Sequence, residues 1–262
     1  MQKKFDVMTI IGFLVGVSGI VAAYKFLAHG KISMLIGKSA LEGILIVFLG
    51  TIAATIVGQS WTRFISIFKI ASHAINPTTY NLREAIDQLV NFAAIARKDG
   101  VLALEKELPN IKEPFFRKIF GLAVDGNDPD MLKTVAESEI EFLTERHTIN
   151  YTVFAKMGGY SPTMGIIGTV LALIGTFASA GDDPQGLISH IATAFVATLW
   201  GIFLANLVFL PLSDRLKNGH LEEIEYMEII KKGVISIQEG EAPSIVKAKL
   251  YSMLPANQQI QK

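Results

Sequence analysis

A chain of 262 residues with 24 Lys and Arg against 24 Asp and Glu carries no formal net charge, and that balance gives no footing for a nucleic-acid partner. Half of the residues are hydrophobic and the mean hydropathy is positive; a soluble domain of this length could bury a good core but would not average out apolar. The absence of cysteine excludes disulfides and cysteine-ligated metals.

Taken from the N-terminus, charge-free runs occur at Val7–Tyr24, Gly43–Thr62, Met157–Gly181 and Ile191–Ser213. Each is close to the roughly 20 residues that cross a hydrocarbon core. In lipid such segments must be helical, because every backbone polar group needs an internal partner. The alternative, buried core helices of a soluble protein, fits poorly with four such runs in one chain. The first run follows M-Q-K-K and has no A-x-A-like site at its end, so no cleavable signal is expected. Asp6 and Glu42 stand at the starts of the first two spans, where the helix dipole tolerates a carboxylate. The predicted fold class is an all-α integral membrane protein, with four transmembrane helices and a cytoplasmic helical domain.

Lysine and arginine flanks give direction. Lys3 and Lys4 precede span one, Arg63 and Lys69 follow span two, Lys156 precedes span three, and Arg215 and Lys217 follow span four. The turn A-S-A-G-D-D-P-Q-G between spans three and four has neither. Both termini are therefore expected inside and that turn outside. Lys25, Lys31 and Lys38 in the first outer loop run against the rule. The predicted organisation is a peripheral pair of spans in 1–62, a cytoplasmic segment 63–156, a partner-lining pair of spans in 157–213, and a cytoplasmic tail 214–262.

The segment 63–156 holds 12 Lys/Arg and 13 Asp/Glu. Leu82, Ile86, Leu89, Val90 and Phe92 recur at helical spacing. N-D-P-D at 127–130 predicts a turn into a helix from about Met131 that runs on into span three. The tail predicts an amphipathic helix stopped by Gly233, and S-M-L-P-A-N-Q-Q-I-Q-K at 252–262 reads as a loose end.

Spans three and four carry unusual residues. Gly165, Gly168 and Thr169 lie within about one turn, which allows another helix to approach closely. Ala194, Thr198, Gly201 and Ala205 form one small-residue stripe. Thr169 is 13 residues from both Lys156 and Asp182, and Thr198 is near the middle of its span, so the two hydroxyls are expected at matched depth. A membrane threonine can simply bond back to the carbonyl one turn earlier. Two at one depth on small-residue faces point instead to a shared packing surface or a polar path. Pro162 and Pro211 both fall near the cytoplasmic ends of their spans, where each either kinks its helix into a hinge or marks its end. No Asp, Glu, Lys or Arg lies inside any span. Ion pumps usually carry such a group, so any ion path here borrows its carboxylate from a partner helix.

With S-P-T-M-G-I-I-G-T-V-L-A-L at 161–173, A-T-A-F-V-A-T-L-W-G at 192–201 and L-P-L-S-D-R-L at 210–216, the chain resembles the A subunit of the bacterial flagellar stator, the MotA/PomA family. The span three and four motifs are shared more loosely with ExbB/TolQ relatives. A-R-K-D-G-V-L-A-L-E-K-E at 96–107 is similar to the family's rotor-touching segment, with Arg97 and Glu105 in the matching places and Lys98 and Glu107 beside them. Charges on an exposed face of this kind can steer a charged partner, although they equally suit a solvated surface.

The resemblance implies an inner-membrane homo-oligomer, a pentamer, around a single-span B-type subunit. That subunit supplies the ion-binding aspartate and a peptidoglycan anchor. Flow of H+ or Na+ turns the A ring, and the cytoplasmic charges push the rotor switch protein. Thr169 and Thr198 match the family's pore-facing threonines, Pro162 and Pro211 its proline pair. Ala197 stands where sodium-type members carry a further threonine, so the ion stays open between H+ and Na+. Gly165, Gly168, Ala194, Ala197 and Gly201 are expected to face the ion path or the partner helix. The rival readings are an ExbB/TolQ-type energiser, a stand-alone transporter, which would want its own charged site, and a scaffold without ion flow. There is no G-K-[ST] loop, no metal cluster and no nucleophile–base set, so neither an enzyme nor a cofactor beyond the translocated ion is expected.

Overall fold

Where the sequence loses its charges, helices form and turn apolar side chains outward. The computed structural model describes residues 2–3, 7–28, 35, 37–179 and 184–255. Four of its helices are long and apolar enough to cross a membrane. The chain divides into two units.

One unit comprises residues 5–77 and 148–217. It contains α1 (Val7–Ala28), α2 (Lys38–Val57) and α3 (Trp61–Ile75). It also holds the later part of α6 (Pro129–Ser179), α7 (Pro184–Leu204), a π-helical turn (Ala205–Phe209) and the start of α8 (Leu210–Gln238). Phe48, Leu49, Ile174 and Phe177 are exposed, while Thr51, Thr55, Ser161 and Thr176 are buried. The Thr51, Thr55 and Thr176 hydroxyls donate to carbonyls one turn back, at 2.7–2.8 Å, which satisfies them where water is absent. Such an apolar outside suits lipid rather than water.

Two sequence boundaries shift here. The second span ends at Val57, not Thr62, because Gly58 turns the chain and its N–H closes on the Ala54 carbonyl. The next residues start α3, whose Ile67 packs on Val153, Phe154, Met157 and Phe209. α3, predicted to open the cytoplasmic segment, falls in the same unit as the apolar helices.

The other unit comprises residues 1–4, 78–147 and 218–262. Asn81 caps α4 (Leu82–Asp99) by accepting from the Glu84 N–H. A 3-10 segment (Val101–Asn110) follows. Glu113 then caps α5 (Pro114–Val124), its carboxylate accepting from the Phe115 and Phe116 N–H groups. Asp128 accepts from the Asp130 N–H at 2.8 Å and starts α6 at Pro129, close to the predicted Met131. Phe92, Phe116 and Phe120 interlock with ring centroids 4.7–6.2 Å apart. Around them lie Ile119, Leu132, Ile229, Ile230 and Val246. Two short strands, β1 (Gln2–Lys3) and β2 (Thr78–Thr79), pair antiparallel beside this helical core.

The predicted stop at Gly233 does not occur, and α8 runs to Gln238. A Cβ at Gly233 would stand 2.5 Å from Leu89 Cδ1, so the glycine serves close helix packing rather than termination. Beyond it α9 (Pro243–Tyr251) buries Val246 and Leu250 in the same core as 78–147. The predicted loose end is tied down at its start, where Leu254 is 2% exposed in that core. The rest of the predicted loose end, 256–262, lies outside the described residues, as do Asp6, Lys31 and Asp182.

Candidate functional site

Two helices, α6 and α7, carry the span three and four residues. Backbone meets backbone where they cross. A Cβ at Gly165 would lie 3.1 Å from the Ala197 carbonyl oxygen, and one at Gly201 only 2.8 Å from that of Ser161. Ser161 Oγ donates to the Gly201 carbonyl at 2.9 Å. Ala197 is 1% exposed and serves two contacts: its Cβ would be 3.0 Å from a Cβ on Gly168 and 3.0 Å from one on Gly43 of α2. Ala194 is buried beside it in the sequence of α7, at 2% exposure. Gly165, Gly168, Ala197 and Gly201, expected at an ion path or a partner helix, also serve packing within this chain: their small size lets α2, α6 and α7 touch.

The threonines remain half-buried. Thr169 Oγ1 lies 3.0 Å from the Gly165 carbonyl, 3.0 Å from that of Ala194 and 2.5 Å from Thr198 Oγ1. Thr169 has one hydroxyl hydrogen, which its two carbonyl neighbours compete for. The inter-threonine bond is therefore donated by Thr198. Its own oxygen then keeps acceptor capacity, which suits a cation, a hydronium or a water. Among the described residues, no group of His, Asp and Glu is arranged to hold a metal ion.

The two prolines behave differently. Pro162 lies within the unbroken α6, and its Cα would stand 3.3 Å from a Cβ on Gly201, so it sits at the α6–α7 crossing. Pro211 follows the π-turn, in which the Leu210 N–H reaches back five residues to Ala205. A proline cannot donate to the fourth carbonyl back, and its ring clashes there; one wider turn just before it relieves that crowding. Neither proline ends its helix, since α8 continues past Pro211.

In the other unit, Arg97 and Lys98 occupy the last turn of α4 and are exposed. Gly100, at φ 85°, reverses the chain. Leu104, 1% exposed, pins the following 3-10 segment to the core. Glu105 is exposed, and Glu107 accepts from the Asn110 amide at 3.1 Å. Among the described residues neither Arg97 nor Glu105 makes an ion pair, so both charges face solvent.

A polar network in this unit had no sequence signal, because its members are far apart in the chain. His147 Nδ1 lies 3.3 Å from His220 Nδ1 and 3.4 Å from Glu223, and the Tyr80 hydroxyl donates to Glu223 at 2.9 Å. Burial, then the His147 charge, pushes His220 below its ordinary value, while Glu223 opposes the shift. Burial raises the Tyr80 hydroxyl, with Glu223 adding to it. Burial also raises Glu113, against the two backbone N–H bonds that lower it. Ser161 and Trp200 were likewise not anticipated; the Trp200 Nε1–H donates to the Leu35 carbonyl at 2.9 Å.

Residues 107–229 match the family model described as the MotA/TolQ/ExbB proton channel family. Chemotaxis protein PomA of Vibrio alginolyticus is 32% identical over 249 residues, which is 95% of each chain. Motility protein A of Bacillus subtilis (strain 168) is 30% identical over 248 residues, 92% of this chain and 91% of that one. The solved structure of C. jejuni MotAB matches with a TM-score of 0.89 at 29% identity, covering 98% of this chain and 99% of that chain.

Proposed function

This chain belongs to the MotA/TolQ/ExbB proton channel family, and from that membership and its near full-length likeness to motility proteins we infer that it is the A-type subunit of a flagellar stator. It is a membrane protein that works as part of an ion-driven complex, coupling ion flow to rotation. The likeness to motility proteins over more than nine-tenths of the chain favours this reading over the ExbB/TolQ alternative.

The finer assignments extend that reading. Lysine and arginine flanks support a reading with both termini on the cytoplasmic side of a bacterial inner membrane. A single-span B subunit, supplying an aspartate and a peptidoglycan anchor, completes a path that lacks a carboxylate of its own. The oligomer is a homopentamer around that partner. H+ or Na+ passes at the boundary beside Thr169 and Thr198, Pro162 and Pro211 transmit the change along their helices, and Arg97, Lys98, Glu105 and Glu107 meet the rotor switch protein.

One observation carries the ion path: a half-buried Thr169–Thr198 pair with acceptor capacity left on Thr198, in spans whose sequence has no charged residue. The test is swimming in soft agar of a strain deleted for this chain and complemented with it. Restored swimming by normally assembled flagella is expected, and titration of speed against sodium and against pH then names the ion. Unchanged swimming in the deletion strain would refute the stator reading in favour of an ExbB/TolQ-type role.

A further inference from the structure

We propose that a cleft between α3 and α6 binds the phosphate headgroup of an anionic phospholipid in the cytoplasmic leaflet. The cleft holds about 200 Å³ and lies wholly within the membrane-type unit. Its rim carries Arg63 and Asn150; its floor is formed by Ile67, Ile70 and Val153. Headgroup chemistry needs that combination of a cation and a neutral donor over an apolar base.

The donors are uncommitted. Arg63 is exposed and makes no ion pair among the described residues, so its guanidinium fork is open to a phosphate. The Asn150 side chain is half-buried and has no hydrogen-bond partner among the described residues. No Asp or Glu lines the cleft, so Arg63 is the one charged group among its lining residues.

The surroundings are those of a membrane edge. α3 begins four residues after α2 ends. Trp61 and Ile65 on α3 are 67% and 56% exposed, Trp61 stacks on Phe64 with centroids 6.0 Å apart, and Lys69 is exposed on the same helix. An amphipathic helix with an exposed tryptophan and two basic residues is the form that lies at the headgroup level. Acyl chains would run over the exposed apolar residues of α3, while a free inorganic anion would make no use of them. Anionic lipids concentrate in the cytoplasmic leaflet, where basic pockets recognise their headgroups. The inference rests on the proposed orientation, which puts this helix inside.

The chain has two tryptophans, so Trp200→Phe leaves Trp61 as a single reporter beside the cleft. The full chain in its native assembly, with any tryptophan of the partner subunit replaced by phenylalanine, is placed in phosphatidylcholine nanodiscs containing brominated phosphatidylglycerol or brominated phosphatidylcholine as the minor lipid. Phosphatidylglycerol should quench Trp61 at about one-fifth of the mole fraction that phosphatidylcholine needs. Arg63→Gln should remove that preference, and Asn150→Leu should weaken it. Equal quenching by the two lipids, or a preference that survives both substitutions, overturns the proposal. So does loss of the preference on adding millimolar inorganic phosphate, which would make the site one for a free anion. Orientation is read separately: Ser60→Cys in this cysteine-free chain should resist an impermeant maleimide in intact cells and react in opened ones. Labelling of intact cells would refute the orientation while leaving the lipid preference readable.

Discussion

The hydroxyls of Thr169 and Thr198 lie 2.5 Å apart across two helices, and only Thr198 can be the donor once the Thr169 hydrogen is claimed by the Gly165 or Ala194 carbonyl. Thr198→Val removes both that donor and the free acceptor, at almost constant volume. It should cost about 1 kcal/mol of helix association and most of the swimming speed. Thr198→Ser keeps the hydroxyl and should retain most of the speed. Tracked swimming of strains with matched membrane levels of each variant checks this; equal speeds for Val and Ser would rule out a role for the hydroxyl.

Gly201 has no room for a methyl group. Its Cβ would meet the Ser161 carbonyl at 2.8 Å and Gly165 Cα at 3.2 Å, both backbone atoms that cannot swing aside. Gly201→Ala should therefore force α6 and α7 apart and destabilise the chain by about 1–3 kcal/mol. Thermal unfolding in detergent should show a lowered midpoint. Gly159→Ala, inside the same helix α6 with nothing within 4 Å, is the matched control and should hold or slightly raise the midpoint, since alanine there adds helix propensity without a clash.

Gly233 presents a finer balance. An alanine there gains up to about 1 kcal/mol of helix propensity. It also meets fully buried Leu89 at 2.5 Å, where overpacking costs about 1–3 kcal/mol. Net destabilisation is expected, read as a lower denaturant midpoint. Pairing Gly233→Ala with Leu89→Ala should give less than the sum of the two losses, because the truncated leucine makes room.

Arg97 and Glu105 flank the Gly100 corner, exposed and without ion partners among the described residues, so reversing either charge should leave folding intact. Swimming should fall in Arg97→Glu and in Glu105→Arg while flagella still assemble and protein levels hold. Added salt should narrow the difference from the parent chain, since exposed charges are screened. Full swimming by both variants would remove these residues from the rotor contact.

The histidine pair gives a pH dependence with a definite sign. His220 is depressed in the folded chain, so unfolding takes up a proton when pH drops below the ordinary value of 6.5. Its contribution to stability is intact above pH 6.5 and is lost as pH falls through the folded value. Glu113 works in the opposite direction: raised on folding, it contributes below 4.5 and loses that contribution as pH rises through its folded value. Subtracting the unfolding midpoints of His220→Gln from those of the parent chain isolates the first effect. The parent should lose more stability than the variant between pH 7.5 and 5.5.

Much of the fold was legible from charge alone: four gaps in the distribution of Asp, Glu, Lys and Arg became the four apolar helical segments. The helix α3 was not, because Arg63 and Lys69 make a helix that packs with the apolar unit look like the start of a soluble segment. Gly233 misled for another reason. A glycine that ends a helix and one that lets another side chain approach are identical in one dimension, and Leu89 is far away in sequence. The small-residue stripes were visible, yet a sequence does not say whether such a surface meets a foreign helix or one of its own. The threonine pair was legible through matched depth. Its donor direction was not, since that depends on carbonyls that only the folded helices bring near.

Trp61 and Trp200 both lie in the membrane-type unit, while the ring groups of the Phe92 core and the Tyr80–Glu223 network contain no tryptophan. Emission excited in the indole band is therefore blind to the core built from 78–147 and 218–262, whereas far-ultraviolet circular dichroism sees the helices of both units. Recorded together on heating, the two signals form a built-in pair of gauges. A dichroism loss that precedes any change in indole emission would mean that the tryptophan-free core melts first.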